Sequence, residues 1–241
     1  MEKVLHRAQK RGERDYGWLS TRYSFSFGDW YEPARMGFGA LRVLNDDTIA
    51  PASGFPMHGH RDMEILTIVT SGTLTHKDSL GNTGVVRAGD VQVMSAGTGI
   101  VHSEYNASPN EPLTLFQIWI QTEKEGSAPR YDQKSFGALR AEDGVVPLAG
   151  PVGDACPLEI RQHAFLARAV VDPDHPCAYR MHREENGVYV FIIEGAAEVA
   201  GERLGSRDAL GISGIGAVNI AAEVHADILI IEVPLEVRGE D

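Results

Sequence analysis

The chain has 241 residues, of which 43% are apolar and 23% charged, ordinary globular usage that excludes a disordered or fibrous protein. Asp and Glu total 34 against 22 Lys and Arg, a formal charge of −12 that repels a phosphate backbone and excludes a general nucleic-acid binder. The length admits one large domain or two small ones with cores that need no disulfide staples, so Cys156 and Cys177 read as unremarkable thiols of a reducing compartment.

The N-terminus, Met1-Glu2-Lys3-Val4-Leu5-His6-Arg7, lacks the apolar core of a secretory signal. The longest apolar run near the C-terminus, Ile228-Leu229-Ile230-Ile231, is broken by Glu232, far short of the ~20 residues of a transmembrane helix. A cytoplasmic protein without membrane contact is expected.

Along the chain, short apolar runs alternate with turn signals. Ile65-Leu66-Thr67-Ile68-Val69 ends at Ser71-Gly72, and Leu74 is followed by the turn cluster Leu80-Gly81-Asn82-Thr83-Gly84. Val91-Gln92-Val93-Met94 closes at Gly97-Thr98-Gly99, and Leu115-Phe116-Gln117-Ile118-Trp119-Ile120 follows. Their lengths and their β-branched and aromatic content predict strands. Helical periodicity is scarce, so the fold class is all-β, built from many short strands in sandwiches or barrels.

The second half repeats the style. Val188-Tyr189-Val190-Phe191-Ile192-Ile193 leads into Glu194-Gly195, and Ile228 to Val233 closes the chain. Met57-His58 and Met181-His182 each precede, by nearly the same interval, a glycine that ends an apolar run, Gly72 and Gly195. Two similar β-domains are expected, residues 1–132 and 133–241. Residues 122–157, rich in charges and closing with Gly144, Pro147, Gly150, Pro151 and Gly153, read as the linker.

Four side chains carry the chemistry. In Phe55-Pro56-Met57-His58-Gly59-His60 the two histidines stand at i and i+2, and so do His102 and Glu104 in Gly97-Thr98-Gly99-Ile100-Val101-His102-Ser103-Glu104. On strands each pair points to one face, and in a closed barrel the two strands can face each other across the interior. Three imidazoles and one carboxylate then surround one divalent metal. Imidazole suits borderline ions and carboxylate adds charge and hardness, with two positions left for a chelating substrate or dioxygen. The lack of thiolate argues against a structural zinc site. His76 reads as a surface residue or a support behind the ligands. His6, His163, His175 and His225 read as structural.

The stretch His58-Gly59-His60-Arg61-Asp62-Met63-Glu64, then Gly72, resembles the first cupin motif, and Gly89-Asp90 followed by Gly97 to His102 resembles the second. Ser95-Ala96-Gly97-Thr98-Gly99-Ile100-Val101-His102-Ser103-Glu104-Tyr105-Asn106 and His76-Lys77-Asp78-Ser79-Leu80-Gly81-Asn82 are similar to signatures of the pirin family. So are Gly17-Trp18-Leu19, Phe25-Ser26-Phe27 and Met36 to Val43. The similarity is strong over residues 1–132 and weaker beyond. It implies a bicupin, two jelly-roll-like β-barrels packed face to face, with metal in the N-terminal one. The ligands it implies are His58, His60, His102 and Glu104, with Glu64 outside the ligand set. The second domain departs from the pattern: Met181-His182-Arg183-Glu184 has no second histidine at i+2, so that domain is expected to bind no metal.

Bacterial pirins of this size resemble quercetin 2,3-dioxygenases, oxidoreductases that open the central ring of a flavonol with dioxygen and release carbon monoxide. The implied cofactor is one divalent ion. Iron(II) is the first choice, and manganese, cobalt, nickel, copper and zinc are admitted by the same ligands. Glu104 is the expected base for the flavonol hydroxyl. Two alternatives stay open: a non-enzymatic iron-binding pirin that regulates through a protein partner, and a cupin acting on another phenolic or enolic metabolite.

Overall fold

Runs of β-branched and aromatic residues closed by glycine turns fold as strands throughout the computed structural model, which describes residues 1–236. In the first half these are β1 (Glu2–His6), β2 (Gly12–Asp15), β3 (Leu19–Tyr23), β4 (Leu41–Ile49), β5 (Gly54–His60), β6 (Met63–Ser71), β7 (Thr73–Asp78), β8 (Thr83–Arg87), β9 (Asp90–Ser95), β10 (Ile100–Asn106), β11 (Leu113–Gln121) and β12 (Arg130–Ser135). The second half contributes β13 (Val145–Pro151), β14 (Leu158–Ile160), β15 (Phe165–Val171), β16 (Cys177–Arg180), β17 (Asn186–Val199), β18 (Glu202–Gly205), β19 (Ala209–Ser213), β20 (Ala217–Ala221) and β21 (Ala226–Pro234). No helix among the described residues is long and apolar enough to cross a membrane.

The first domain is a sandwich. A seven-stranded sheet in the order β12-β9-β6-β11-β4-β3-β2 packs on a four-stranded sheet in the order β5-β10-β7-β8. The second domain is a ten-stranded sheet with the main path β1-β19-β17-β21-β15-β13-β14, from which β16, β18 and β20 branch. The fold is the all-β arrangement of two cupin-type domains.

The runs in β6, β11, β17 and β21 do not alternate apolar with polar because both faces of these strands are covered. Leu66, Ile68, Phe116 and Ile118 point away from the first sandwich and join Tyr189, Phe191, Leu229 and Ile231 of the second in one continuous core. The two large sheets therefore pack face to face. Phe116 and Phe191 meet edge to face there at 5.5 Å, and burying each such ring stabilises the fold by roughly 1.5–3 kcal/mol. The Asp46 carboxylate stitches the rim of this contact, accepting from Arg207 at 2.7 Å and from Arg11 at 3.3 Å. At Gly39 the backbone has φ +52°, and an added Cβ would lie 2.2 Å from the Pro234 carbonyl oxygen. Only glycine lets the two domains approach so closely.

Two expectations about connectivity change. The stretch 122–157 is not a linker throughout. β12 pairs antiparallel with β9 in the first domain, while β13 and β14 belong to the second sheet, leaving only 136–144 as the connection. The first strand also crosses over: β1 pairs with β19 of the second domain, His6 against Ala209. The His6 Nδ1 lies 2.9 Å from the Tyr189 hydroxyl. The Asp208 carboxylate accepts from the Arg7 guanidinium at 2.6 Å and from the Ala8 N–H at 2.8 Å. Cys156 and Cys177 are unpaired and partly buried.

Candidate metal centre

His58 and His60 stand on β5, an edge strand where Pro56 sacrifices no ladder hydrogen bond. His102 and Glu104 stand on β10, the strand next to it. The two pairs do not face each other across the barrel, as expected from spacing alone. They sit on adjacent antiparallel strands, with His102 directly opposite His58. The period-2 pattern tells which face a residue takes but not which strand lies beside it. A bulge between His102 and Glu104 shifts the register, so that Glu104 stands opposite Phe55, and such a bulge re-aims the following side chain. The turn entering β10 depends on Gly97, at φ +47°, where a Cβ would lie 2.0 Å from the Ser127 carbonyl oxygen.

The three imidazoles converge. Ring centroids are 4.9 Å apart for His58–His60, 4.4 Å for His58–His102 and 4.9 Å for His60–His102. One nitrogen from each lies within 4.8 Å of the others. Hydrogen bonds settle which nitrogens carry protons. The Nδ1–H of His58 donates to the Pro56 carbonyl at 2.8 Å, leaving Nε2 with a free lone pair. Behind His102 runs a relay. Burial works to raise the Asp78 carboxyl, but hydrogen bonds from Asn82, His76 and Leu80 outweigh it and keep it ionised. Asp78 therefore accepts from His76 Nε2–H at 3.2 Å. Burial depresses His76 below its ordinary value, so its Nδ1 is an acceptor for the Nδ1–H of His102 at 3.5 Å. The Nε2 of His102 is thereby deprotonated, and it is buried with no hydrogen-bond partner. Burial, then the neighbouring imidazoles, pull His102 down to about 3 and His60 to about 4. His60 and His102 are therefore neutral near neutral pH.

This donor set fits a divalent ion. Three convergent imidazole lone pairs, one of them orphaned in the interior, suit a borderline metal, and the supported tautomers are those that ligation needs.

Glu104 is buried and held by three donors. Its Oε1 accepts from Gln92 Nε2 at 2.9 Å and Thr67 Oγ1 at 3.2 Å, and its Oε2 from Gln117 Nε2 at 2.7 Å. Burial nevertheless pushes its carboxyl up to about 7. At ligand spacing Glu104 groups with His102 and His76, whereas His58, His60 and His102 form the other group. Of the two positions expected for His76, the structure shows the one behind the imidazoles rather than the surface. His76 is buried, and the Tyr131 ring stacks on it at 4.4 Å. The Tyr131 hydroxyl donates to Gln92 Oε1 at 3.2 Å. Glu64 takes no part in either group; it is buried and accepts from Ser95 Oγ at 2.6 Å.

Thr67, Gln92, Gln117, Asn45 and Asp47 escaped the sequence reading. Their signal is faint but real: Thr67 and Gln117 each interrupt an apolar face of their strand, Gln92 falls within the run Val91 to Met94, and Asn45 and Asp47 share one face of β4 at i and i+2. A cavity of about 160 Å³ opens beside the imidazoles, lined by Phe55, Trp119, Phe27 and Tyr23 as well as by Asn45, Asp47 and Gln117, while Thr67 and Gln92 stand behind Glu104 and donate to it. Trp119 meets Phe27 edge to face at 5.3 Å and His60 at 5.0 Å. Walls of this kind suit a flat aromatic ligand.

In the second domain His182 stacks on Phe165 at 3.9 Å. It shares the buried carboxylate of Glu232, at 3.1 Å, with the Tyr179 hydroxyl at 2.8 Å.

The chain matches the Pirin family model over residues 4–120 and the model of the quercetinase C-terminal cupin domain over residues 148–233. It is 40% identical over 230 residues to quercetin 2,3-dioxygenase of Escherichia coli K12, covering 95% of this chain and 98% of that protein. It is 43% identical over 224 residues to a pirin-like protein of Caulobacter vibrioides, covering 92% and 96%. Among solved structures, the bacterial pirin YhhW of Escherichia coli in complex with nickel(II) superposes with a TM-score of 0.90 at 39% identity, covering 97% of this chain and 99% of that one.

Proposed function

The chain belongs to the pirin family, and on that footing we propose that it is a metal-dependent dioxygenase that opens the central ring of a flavonol with dioxygen and releases carbon monoxide. One observation carries the reading: three convergent imidazoles and a buried carboxylate line one aromatic-walled cavity. The relatives named quercetin 2,3-dioxygenase support the substrate class.

His58, His60, His102 and Glu104 would hold a single divalent ion. When bound, the ion supplies Lewis acidity that lowers the pKa of a flavonol hydroxyl and offers open positions for substrate and dioxygen. Iron(II) remains our first choice, and nickel(II), the ion in the Escherichia coli relative, is the second. The rest falls to the chain. Phe55 and Trp119 hold the flat ring system and exclude water. Glu104 takes the proton of the hydroxyl that faces the imidazoles, and Gln92, Gln117 and Thr67 keep its oxygens aimed. His76 and Asp78 keep His102 in the ligating tautomer. We assign the metal chemistry to the first domain, residues 1–132, and a supporting role to the second, residues 133–241, whose last five residues, 237–241, lie outside those described.

The test is turnover. Protein loaded with iron(II) or nickel(II) without oxygen, then mixed with quercetin and air, should lose the flavonol absorbance and release carbon monoxide in equal amounts. Full metal occupancy without turnover on any flavonol would favour the partner-binding reading instead.

A further inference from the structure

One side chain outside the cavity touches both supports of the metal centre. Tyr131 stands on β12, the edge strand of the large sheet, opposite Met94 of β9. Its ring crosses to the smaller sheet and stacks on His76, with centroids 4.4 Å apart and planes inclined by 22°. Its hydroxyl lies against the large sheet, where Gln133, Gln92, Thr67, Gln117 and Asn45 stand in register on adjacent strands. The Tyr131 hydroxyl is 3.2 Å from Gln92 Oε1 and 2.7 Å from Gln133 Oε1. The two oxygens compete for one proton, but their needs differ. Gln133 is exposed, so water can serve its oxygen. Gln92 is fully buried, and among the described residues Tyr131 is the one donor to its Oε1. A buried acceptor stripped of its donor is costly. Burial, then the charges of Glu104 and Asp78, hold the phenol above its ordinary range, so the hydroxyl keeps its proton.

The smaller sheet makes room for this hydroxyl. Gly84 of β8 stands opposite His76. Its backbone is outside the left-handed region, so conformation does not demand a glycine there. Space does: an added Cβ would overlap the Tyr131 hydroxyl and crowd Gln133 Oε1 at 2.8 Å. Each contact of Tyr131 leads to a different ligand. The hydroxyl holds the Gln92 amide with its N–H toward Glu104 Oε1, at 2.9 Å. The stacked ring holds His76 in the plane that sets Nε2 against Asp78 and Nδ1 against His102. We infer that Tyr131 is a positioning residue that aims Glu104 through Gln92 and His102 through His76, without lining the cavity itself. The inference rests on the reading of His58, His60, His102 and Glu104 as a metal site.

Nickel(II) affinity, read by competition with a chelator, tests it without turnover. Tyr131→Leu removes ring and hydroxyl and should weaken binding about tenfold or more, the scale for groups that support metal ligands. Tyr131→Phe keeps the ring and should lose only about 2–10-fold, the scale of one hydrogen bond to a buried acceptor. Coupling between substitutions supplies the readout that loose packing alone would not give. In a His76→Ala chain, Tyr131→Leu should bind no more weakly than Tyr131→Phe, because the ring has nothing left to orient. In a Gln92→Met chain, Tyr131→Phe should cost nothing further. Gly84→Ala, which displaces the hydroxyl, should weaken binding in the native chain and add nothing to Tyr131→Leu; it serves where one of the other pairs does not fold. Native affinity in Tyr131→Leu, or penalties that simply add in any of these pairs, would overturn the role while leaving the dioxygenase reading intact. A native chain that takes up no nickel(II) would sink the inference and the metal reading together. The stated couplings in a chain that turns over no flavonol would uphold the role of Tyr131 and sink the dioxygenase.

Discussion

Glu104→Gln separates the carboxylate's charge from its shape. In the native site Glu104 accepts three hydrogen bonds, two on Oε1 and one on Oε2. An amide at this position would set an NH₂ group against one of those donors, and two facing donors ordinarily leave a buried group unsatisfied at about 1–3 kcal/mol. The site has a built-in remedy. The Oε1 of Gln117 is without a partner, so turning the Gln117 amide over presents an acceptor where the donor was. The new amide then takes the Oε2 position and donates to it, while Gln92 and Thr67 keep their acceptor. The variant should therefore fold with a stability loss of no more than about 1 kcal/mol. Its rate should nonetheless fall by about 10²–10⁴-fold, because an amide is no base near neutral pH. The assay is metal content by mass spectrometry beside flavonol turnover, with urea unfolding as the control. A variant that retains its metal and turns over at close to the native rate would show that the carboxylate is not the base.

Three further outcomes follow from the packing and electrostatics. His76→Ala breaks the relay that holds His102 in its ligating tautomer and should weaken metal affinity about 10–100-fold; competition with a chelator reads this directly, and unchanged affinity would remove the relay from the account. Phe116→Ala empties the aromatic contact between the domains and should cost about 3–5 kcal/mol in urea unfolding, whereas a loss below 1 kcal/mol would mean the two sheets fold without that contact. Burial, then the Arg35 charge, depress His6 from 6.5 to about 4, so the unfolded chain binds a proton that the folded one refuses. The resulting stabilisation is fully present above pH 6.5 and is lost as pH falls toward 4. It amounts to roughly 1–3 kcal/mol, and His6→Gln should flatten the pH dependence of unfolding by that amount; an unchanged slope would contradict it.

How much of this was legible in the sequence differs by element. β6, β11, β17 and β21 are apolar enough to announce themselves, because each is covered on two faces. β12 hid in plain sight: Arg-Tyr-Asp-Gln-Lys-Ser is polar along its length because it is the edge strand of its sheet and half exposed. β1 could not have been assigned to the second domain, since its partner lies about 200 residues away and nothing local encodes that pairing. The four chemistry-bearing residues stood out by their i, i+2 spacing, but their mutual arrangement is a matter of strand order, which spacing does not carry. Of the two readings of His76, the structure selects the support behind the ligands over the surface residue: Thr-His-Lys-Asp looks like a hairpin end, but β7 is an inner strand of its sheet and the histidine points inward. The polar layer of Asn45, Asp47, Thr67, Gln92 and Gln117 is not legible in the sequence because isolated polar residues such as Thr67, Gln92 and Gln117 are common in strands, and only the fold aligns them with Asn45 and Asp47 across four strands, β4, β6, β9 and β11.

The claim on which the rest depends is that one divalent ion sits on the imidazoles of the first domain. Metal content per chain in protein purified without added metal, compared between the native chain and His60→Ala, tests it most directly. The account predicts one ion per native chain and loss of most of it in His60→Ala with the fold intact. Full occupancy in His60→Ala, or a second ion per chain that survives it, would contradict the assignment.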